Sequence, residues 1–192
     1  LLLHSLVGLA ILVDDLPAFD FAAGHSLGEY GALAAAGAMT PEQAVKAVVR
    51  RAALMEDACR RRPGTMAAIM GLEMEKVEQV CAEASAAGVV VPANYNSGIQ
   101  IAVSGAVEGV DRAIELAKAA GAKRAMKLEV GGAFHSPLME PARDGLQTYL
   151  ADAVFGDPIK PVIANVTAAP VTASGRIREL LVQQVKIGRA HV

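Results

Sequence analysis

The sequence predicts an α/β fold that contains a second, smaller α/β unit. Short apolar segments with strand character alternate with longer segments of helical periodicity along its 192 residues. Between residues 64 and 130 the order of these segments becomes β-α-β-β-α-β, which is typical of a ferredoxin-like unit that closes its own sheet. We therefore predict a main subdomain over residues 1–63 and 131–186, and an inserted ferredoxin-like subdomain over residues 64–130.

The main subdomain is predicted to be mostly helical. Its helices are expected over residues 1–13, 27–36, 41–62, 138–151 and 176–185, and its strands over residues 19–23 and 161–166. The first helix is so apolar that we expect it to be buried. Gly37 is positioned to end the second helix, and Thr40 and Gln43 have the spacing of a capping box at the start of the third.

The inserted subdomain is predicted from alternating strand and helix patterns. Its strands are expected over residues 65–70, 89–94, 99–104 and 124–130, and its helices over residues 73–87 and 107–120. A turn over residues 95–98 joins the two middle strands. A glycine-rich loop over residues 131–137 then returns the chain to the main subdomain.

Composition excludes several classes of function. The net charge is −2, and no Lys/Arg face is interleaved with aromatic residues, so we expect no nucleic-acid partner. The apolar run at the start is too short to span a bilayer and has no basic flank, so we expect no membrane segment. Cys59 and Cys81 have neither metal-ligand nor redox spacing, which predicts a cytoplasmic protein with reduced thiols and no metal site.

Both ends of the chain suggest a piece of a longer protein. There is no initiator Met, and the first apolar run begins without a helix cap. Residues 187–192 resemble one reading frame of a sequencing-adapter oligonucleotide, so we treat them as a non-native tail; an ordinary frayed terminus is the alternative.

Ser26 is the candidate nucleophile. It lies in Gly24-His25-Ser26-Leu27-Gly28, a Gly-x-Ser-x-Gly turn between a predicted strand and a predicted helix, which is the setting of a nucleophile elbow. Glycines on both sides are expected to let the strand and the helix approach each other closely. The helix start directs free N–H groups at the same point, so the Leu27 N–H is a candidate oxyanion donor.

A serine hydroxyl needs a base to take its proton, and His135 is the best candidate among four histidines. His191 lies in the suspected tail and His4 in the first helix. His25 is part of the elbow itself, and we expect it to point away from the Ser26 hydroxyl. His135 lies in the loop between the two subdomains, where its imidazole can face a cleft.

The third helix places one arginine at the edge of an apolar face. The face is predicted from residues at helical spacing: Val45, Val48, Val49, Ala52, Met55 and Cys59. Arg50 points away from it into solvent, whereas Arg51 lies on its margin. Arg51 either extends to water or a local carboxylate, or forms a fork for a substrate carboxylate.

These residues resemble the malonyl-CoA:acyl-carrier-protein transacylases. The resemblance rests on residues 24–30 (Gly-His-Ser-Leu-Gly-Glu-Tyr), residues 94–97 (Asn-Tyr-Asn-Ser), residues 132–139 (Gly-Ala-Phe-His-Ser-Pro-Leu-Met) and the arginine of the third helix, and it extends from residue 1 to about 185. It implies an α/β-hydrolase-like large subdomain and a ferredoxin-like small one, with the active site in the gorge between them. It also implies that Ser26 is the nucleophile and His135 the base.

The same resemblance implies the substrates and the binding residues. Arg51 matches the arginine that holds the malonyl carboxylate, Asn96 matches a polar residue of the gorge, and Phe134 follows the pattern of malonyl-selective members. The implied reaction moves a malonyl group from malonyl-CoA to the phosphopantetheine thiol of acyl carrier protein through a malonyl-serine, with no cofactor of the enzyme's own.

Two family segments have no counterpart in the sequence. One is the N-terminal Gly-Gln-Gly segment that completes the oxyanion hole, and the other is the C-terminal part whose backbone orients the base. We therefore expect little or no activity from these 192 residues alone. The alternatives are a serine esterase or thioesterase, the acyltransferase domain of a polyketide synthase, and a degenerate module that only binds a carrier protein.

Overall fold

A computed structural model describes residues 1–12 and 18–186, and it confirms the α/β fold class. The helices are α1 (Leu2–Leu12), α2 (Gly28–Ala35), α3 (Pro41–Arg61), α4 (Met74–Ala84), α5 (Val107–Ala119), α6 (Glu140–Leu150) and α7 (Ile177–Lys186). The strands are β1 (Ala22–Ala23), β2 (Thr65–Met70), β3 (Val90–Ser97), β4 (Gln100–Gly105), β5 (Arg124–Lys127), β6 (Val162–Ala164) and β7 (Ala169–Val171). The predicted break at residues 14–17 and the suspected tail over residues 187–192 lie outside the described residues.

Strands β2 to β5 form one antiparallel sheet in the order β3-β4-β2-β5. Helices α4 and α5 pack on this sheet, and their apolar residues share one core with it. This is the architecture of a ferredoxin-like unit. Strand β3 continues to Ser97, three residues beyond the predicted end, so the hairpin turn is shorter than the sequence predicts.

The other sheet has the order β1-β6-β7, with β1 parallel to β6. Helices α2, α3, α6 and α7 surround the core that this sheet shares. The predicted strand over residues 19–23 is shorter than expected, because only Ala22 and Ala23 pair with β6. Strand β7 was not predicted, since three residues give too little alternation to recognise.

Helix α1 forms as predicted, but it is not buried. Only Leu2 and Leu6 are buried, while Leu3, Val7 and Ile11 are exposed. The helix makes most of its contacts with α2 and α3. The apolar composition of α1 predicts that all of its faces are buried, but the described part of the structure covers only part of its surface.

Helix α3 forms the wall of the site and begins as the sequence predicts. The Thr40 hydroxyl accepts a hydrogen bond from the Gln43 N–H at 3.1 Å, and the Gln43 side chain accepts the Thr40 N–H at 2.7 Å. This capping box satisfies two N–H groups that the first turn of a helix leaves without partners. None of the described helices is both long and apolar enough to cross a bilayer.

Candidate active site

The elbow places Ser26 in a strained backbone conformation. Its φ is +50°, a left-handed value that is rare for a residue other than glycine and recurs at functional sites. Gly24 makes the turn possible, because a Cβ there would lie 2.1 Å from the carbonyl carbon and oxygen of Gly28. A Cβ on Gly28 would meet nothing within 4 Å, so the close approach requires one glycine and not both.

His135 contacts the Ser26 hydroxyl directly. The Nε2 atom of His135 lies 2.9 Å from Ser26 Oγ, and its Nδ1 lies 2.8 Å from the backbone carbonyl oxygen of Gln184. A carbonyl oxygen can only accept a hydrogen bond, so Nδ1 carries the proton and Nε2 presents its lone pair to the serine. This is the tautomer that a general base requires.

Gln184 overturns one expectation. The backbone that orients the base was expected to be missing from the sequence, yet α7 supplies it through the Gln184 carbonyl. Burial, together with the smaller effect of the Arg51 charge, lowers the pKa of His135 to about 4, against the opposing effect of this hydrogen bond. His135 is therefore neutral, and able to accept a proton, throughout the physiological pH range.

Arg51 is buried, which contradicts the alternative that its side chain extends to water. Its exposed fraction is 6%, and no carboxylate in the described part of the chain lies within ion-pair distance.

The buried face of α3 is rotated about the helix axis relative to the predicted one. Val49 is 65% exposed, and the buried residues of α3 are Ala44, Ala47, Arg51, Met55 and Ala58. The prediction followed the large β-branched residues of α3, whereas small alanines make up most of its buried face.

The Arg51 guanidinium is directed at the nucleophile. Its Nη2 donates to Ser26 Oγ at 2.8 Å and to Gln184 Oε1 at 3.2 Å. Its Nε is also buried, and within the described structure that atom has no acceptor. A buried cation with an unused donor next to a nucleophile suits a ligand that brings its own anionic oxygens.

Three polar residues that the sequence did not identify hold this arrangement in place. Asn165, just after β6, accepts the Ser26 N–H on Oδ1 at 2.6 Å and donates from Nδ2 to the Gly24 carbonyl at 2.7 Å. Gln184 donates from Nε2 to the Ser26 carbonyl at 3.0 Å and to Glu29 Oε2. Glu29 Oε2 also accepts the Asn165 N–H at 3.2 Å.

A cavity of about 470 Å³ opens beside these residues. Ser26, His135 and Arg51 line it together with apolar side chains from α3, from β2 and from the loop after β5, including Met55, Met66 and Phe134. Phe134 packs against the main core and also against the cluster that contains Met66. The cavity therefore combines one polar corner with an apolar wall, as small-molecule sites do.

Asn96 is not part of this cavity, and the prediction for it is wrong. Asn96 is exposed near the end of β3, whereas Asn94 is buried and lines the cavity. Regular alternation would place both on one face, but β3 has register shifts on either side of Tyr95. These shifts place Asn94 in the cavity and Asn96 in solvent.

His25 and Leu27 flank the nucleophile. The His25 ring lines the cavity and lies 3.0 Å, at Nε2, from Asn94 Nδ2, and it makes no hydrogen bond to the Ser26 hydroxyl among the described contacts. The Leu27 N–H, directly before the first residue of α2, has no acceptor in residues 1–12 and 18–186. A free N–H next to the serine is what an oxyanion donor requires.

The chain is similar in sequence to known transacylases. The family model described as "Acyl transferase domain" matches residues 17–183. The malonyl CoA-acyl carrier protein transacylase of Bacillus subtilis strain 168 is 46% identical over 167 residues, covering 86% of this chain and 53% of that protein. The Escherichia coli K12 protein of the same name is 44% identical over 163 residues, again with 53% of its length covered. The chain thus spans about half the length of these relatives.

Solved structures of malonyl-transacylases are similar to this chain in fold. A Burkholderia pseudomallei acyl-carrier-protein S-malonyltransferase superposes with a TM-score of 0.92 at 40% identity, covering 98% of this chain and 62% of that one. A malonyl-transacylase in complex with a type II polyketide acyl-carrier protein superposes with a TM-score of 0.93 at 38% identity, covering 97% and 60%. With its fold, its serine–histidine pair and a family match over most of its length, the chain belongs to the acyl transferase domain family.

Proposed function

We propose that this chain forms the acyl-transfer centre of a malonyl-CoA:acyl-carrier-protein transacylase in fatty acid or polyketide synthesis. One observation carries the proposal: Ser26 Oγ lies within hydrogen-bond distance of both His135 Nε2 and Arg51 Nη2. A nucleophile, a neutral base and a buried cation around one oxygen suit an acyl group that carries its own negative charge. The names of the Bacillus subtilis and Escherichia coli relatives support malonyl as that group.

The first half-reaction forms a malonyl-serine. His135 Nε2 takes the proton of the Ser26 hydroxyl while Oγ attacks the carbonyl carbon of the thioester. The Leu27 N–H donates to the oxygen that becomes negatively charged in the tetrahedral intermediate. The carbon–sulfur bond then breaks, and the proton held by His135 passes to the leaving sulfur of coenzyme A.

The second half-reaction reverses these roles. The phosphopantetheine thiol of the carrier protein gives its proton to His135, and its sulfur attacks the ester carbonyl. The bond between that carbon and Ser26 Oγ breaks, and the serine regains the proton from His135. Serine, histidine and backbone groups perform every step, so we propose that the enzyme needs no cofactor of its own.

Arg51 would position the acyl group. A malonyl carboxylate that accepts hydrogen bonds from the guanidinium would satisfy the buried Nε and hold the thioester carbonyl near Ser26. Since Arg51 Nη2 already donates to Ser26 Oγ, the distance between the two groups suits the short malonyl chain. We also propose a cytoplasmic location, which fits the unpaired thiols of Cys59 and Cys81.

Stoichiometric acylation tests the proposal without requiring turnover. The chain, extended to the full length of its relatives, is incubated with malonyl-CoA, and its intact mass and peptide map are measured. We expect one malonyl group, located on Ser26, and none in Ser26→Ala. His135→Ala should slow acylation by at least about a hundredfold, whereas Ser97→Ala, a change at an exposed serine, should acylate like the unchanged chain. Failure of the unchanged chain to acylate, or labelling at other serines, would contradict the proposal.

A serine esterase or thioesterase is the second candidate, because the Ser26–His135 pair alone would serve it. Hydrolysis places water on the acyl-serine, whereas transfer places a carrier thiol there. Malonyl-serine that is released faster by added holo-acyl carrier protein than by water supports transfer. Release at the same rate with and without the carrier protein supports hydrolysis.

A further inference from the structure

The carboxyl group of Glu29 is the part of the site that the proposed chemistry leaves unused. It lies in the first turn of α2 with only 3% of the residue exposed. A buried carboxyl group is costly unless its oxygens accept hydrogen bonds, and Glu29 Oε2 accepts two. One comes from the side chain of Gln184 and the other from the backbone of Asn165.

Gln184 connects this carboxyl group to the guanidinium. Its Nε2 faces oxygen atoms of Glu29, Ser26 and, at 3.4 Å, Asn165, while its Oε1 accepts from Arg51 Nη2. An amide rotated by half a turn would bring its oxygen against three other oxygens and its NH₂ against a cation. The acceptors around Nε2 therefore determine which end of the amide meets Arg51.

We propose that Glu29 is a positioning residue that orients the Arg51 guanidinium through the side chain of Gln184. This inference rests on the proposed function, because it gives Glu29 a part in selecting acyl groups that carry a carboxylate. Glu29 reaches neither the reacting atoms nor the cavity lining. It acts as a hydrogen-bond acceptor, and its charge is not required.

Two substitutions of Glu29 distinguish the effect of its hydrogen-bond acceptor from the effect of its negative charge. Glu29→Gln keeps a side-chain oxygen where both donors point and removes the charge, whereas Glu29→Ala removes the oxygen. The rates of Ser26 acylation by malonyl-CoA and by acetyl-CoA are measured for each variant, and their ratio is compared. Acetyl lacks the carboxylate, so a change that only damages the nucleophile lowers both rates and leaves the ratio unchanged.

We expect Glu29→Ala to lower the malonyl-to-acetyl ratio about tenfold, as the loss of one hydrogen bond that orients the Arg51 guanidinium predicts. Glu29→Gln should keep the ratio within about threefold of the original value. Equal loss of both rates in Glu29→Ala would overturn the inference. So would a Glu29→Gln ratio as low as that of Glu29→Ala, because the charge would then be the active feature.

A further variant and a spectroscopic readout keep the test independent of folding defects and of the proposed function. Gln184→Met removes the amide at similar length, so it should reduce the ratio like Glu29→Ala, and the double variant should add nothing. The Arg51 guanidinium signals in ¹⁵N NMR should show restricted rotation in the original chain and in Glu29→Gln, and averaging in Gln184→Met. These signals need no acylation; restricted rotation retained in Gln184→Met would overturn the inference even if no malonyl-serine forms.

Discussion

The side-chain oxygen of Asn165 accepts the backbone N–H of Ser26 at 2.6 Å, although 139 positions separate the two residues. Through this bond and its donation to the Gly24 carbonyl, Asn165 ties β6 to the strained elbow. The unfavourable φ of Ser26 is thus held by groups outside the turn itself.

Asn165→Ala should therefore destabilise the fold and the elbow together. It leaves the Ser26 N–H and the Gly24 carbonyl without their partners, so we expect the free energy of unfolding to fall by about 1–3 kcal/mol. Urea denaturation measures this, with Asn96→Ala as the control, since Asn96 is exposed and should change stability by less than about 0.5 kcal/mol. Equal stabilities of the two variants would show that Asn165 does not support the elbow.

Gly132 packs against Cys59 so closely that a Cβ would lie 2.1 Å from the Cys59 sulfur. Gly132→Ala should lower the free energy of unfolding by about 1–3 kcal/mol through overpacking next to the His135 loop. Adding Cys59→Ala should restore part of that loss. Gly131→Ala is the matched control, because a Cβ at position 131 meets nothing within 4 Å. A Gly132→Ala chain as stable as Gly131→Ala would contradict the packing.

The buried carboxyl group of Glu29 should make stability depend on pH. Burial raises its pKa to about 7, although its hydrogen bonds and the Arg51 charge act in the opposite direction. The folded state thus holds this proton more tightly than the unfolded state, so the contribution is complete below about pH 4.5 and is lost as the pH rises through 7.

Comparison with Glu29→Gln isolates this contribution, because other titrating groups such as His135 are common to both chains. From pH 4.5 to pH 8 the original chain should lose on the order of 3 kcal/mol of unfolding free energy relative to the variant. Chemical denaturation at a series of pH values measures the difference. A difference independent of pH would mean that the carboxyl group titrates normally.

Phe134 should disfavour branched acyl groups. Its ring lines the cavity next to His135 and is held between two apolar clusters. We expect methylmalonyl-CoA to acylate Ser26 about 10- to 100-fold more slowly than malonyl-CoA, which corresponds to about 1–3 kcal/mol of crowding. Phe134→Leu should reduce the difference between the two acylation rates, whereas Met66→Leu should leave it unchanged. Equal rates with both thioesters in the original chain would contradict this role.

The sequence predicted the parts of the site that carry a local signal. The elbow pattern identifies Ser26, the loop between subdomains identifies His135, and helical spacing separates Arg51 from Arg50. The structure places His135 Nε2 and Arg51 Nη2 each within hydrogen-bond distance of Ser26 Oγ. The fold class was also predictable, because strand and helix periodicities differ clearly along the chain.

The supporting residues carry no such signal. Gln184 lies 158 positions from Ser26, and an isolated amide on an amphipathic helix is typical of a solvent-facing residue. Glu29 in the first turn of a helix is typical of a favourable interaction with the helix dipole. Asn96 was expected in the site from the family resemblance, whereas the register shifts of β3 that accompany Asn94 in the cavity depend on pairing with β4 rather than on its own residues.

The central claim is that Arg51 selects a carboxylate-bearing acyl group next to Ser26. The most direct measurement is the ratio of Ser26 acylation rates with malonyl-CoA and acetyl-CoA in Arg51→Ala and in Arg50→Ala, a change at an exposed neighbour on the same helix. We predict that Arg51→Ala lowers the ratio by about 30- to 100-fold, since a buried charge-assisted contact is lost, and that Arg50→Ala leaves it unchanged. An unchanged ratio in Arg51→Ala, or an equal fall in both variants, would contradict the account.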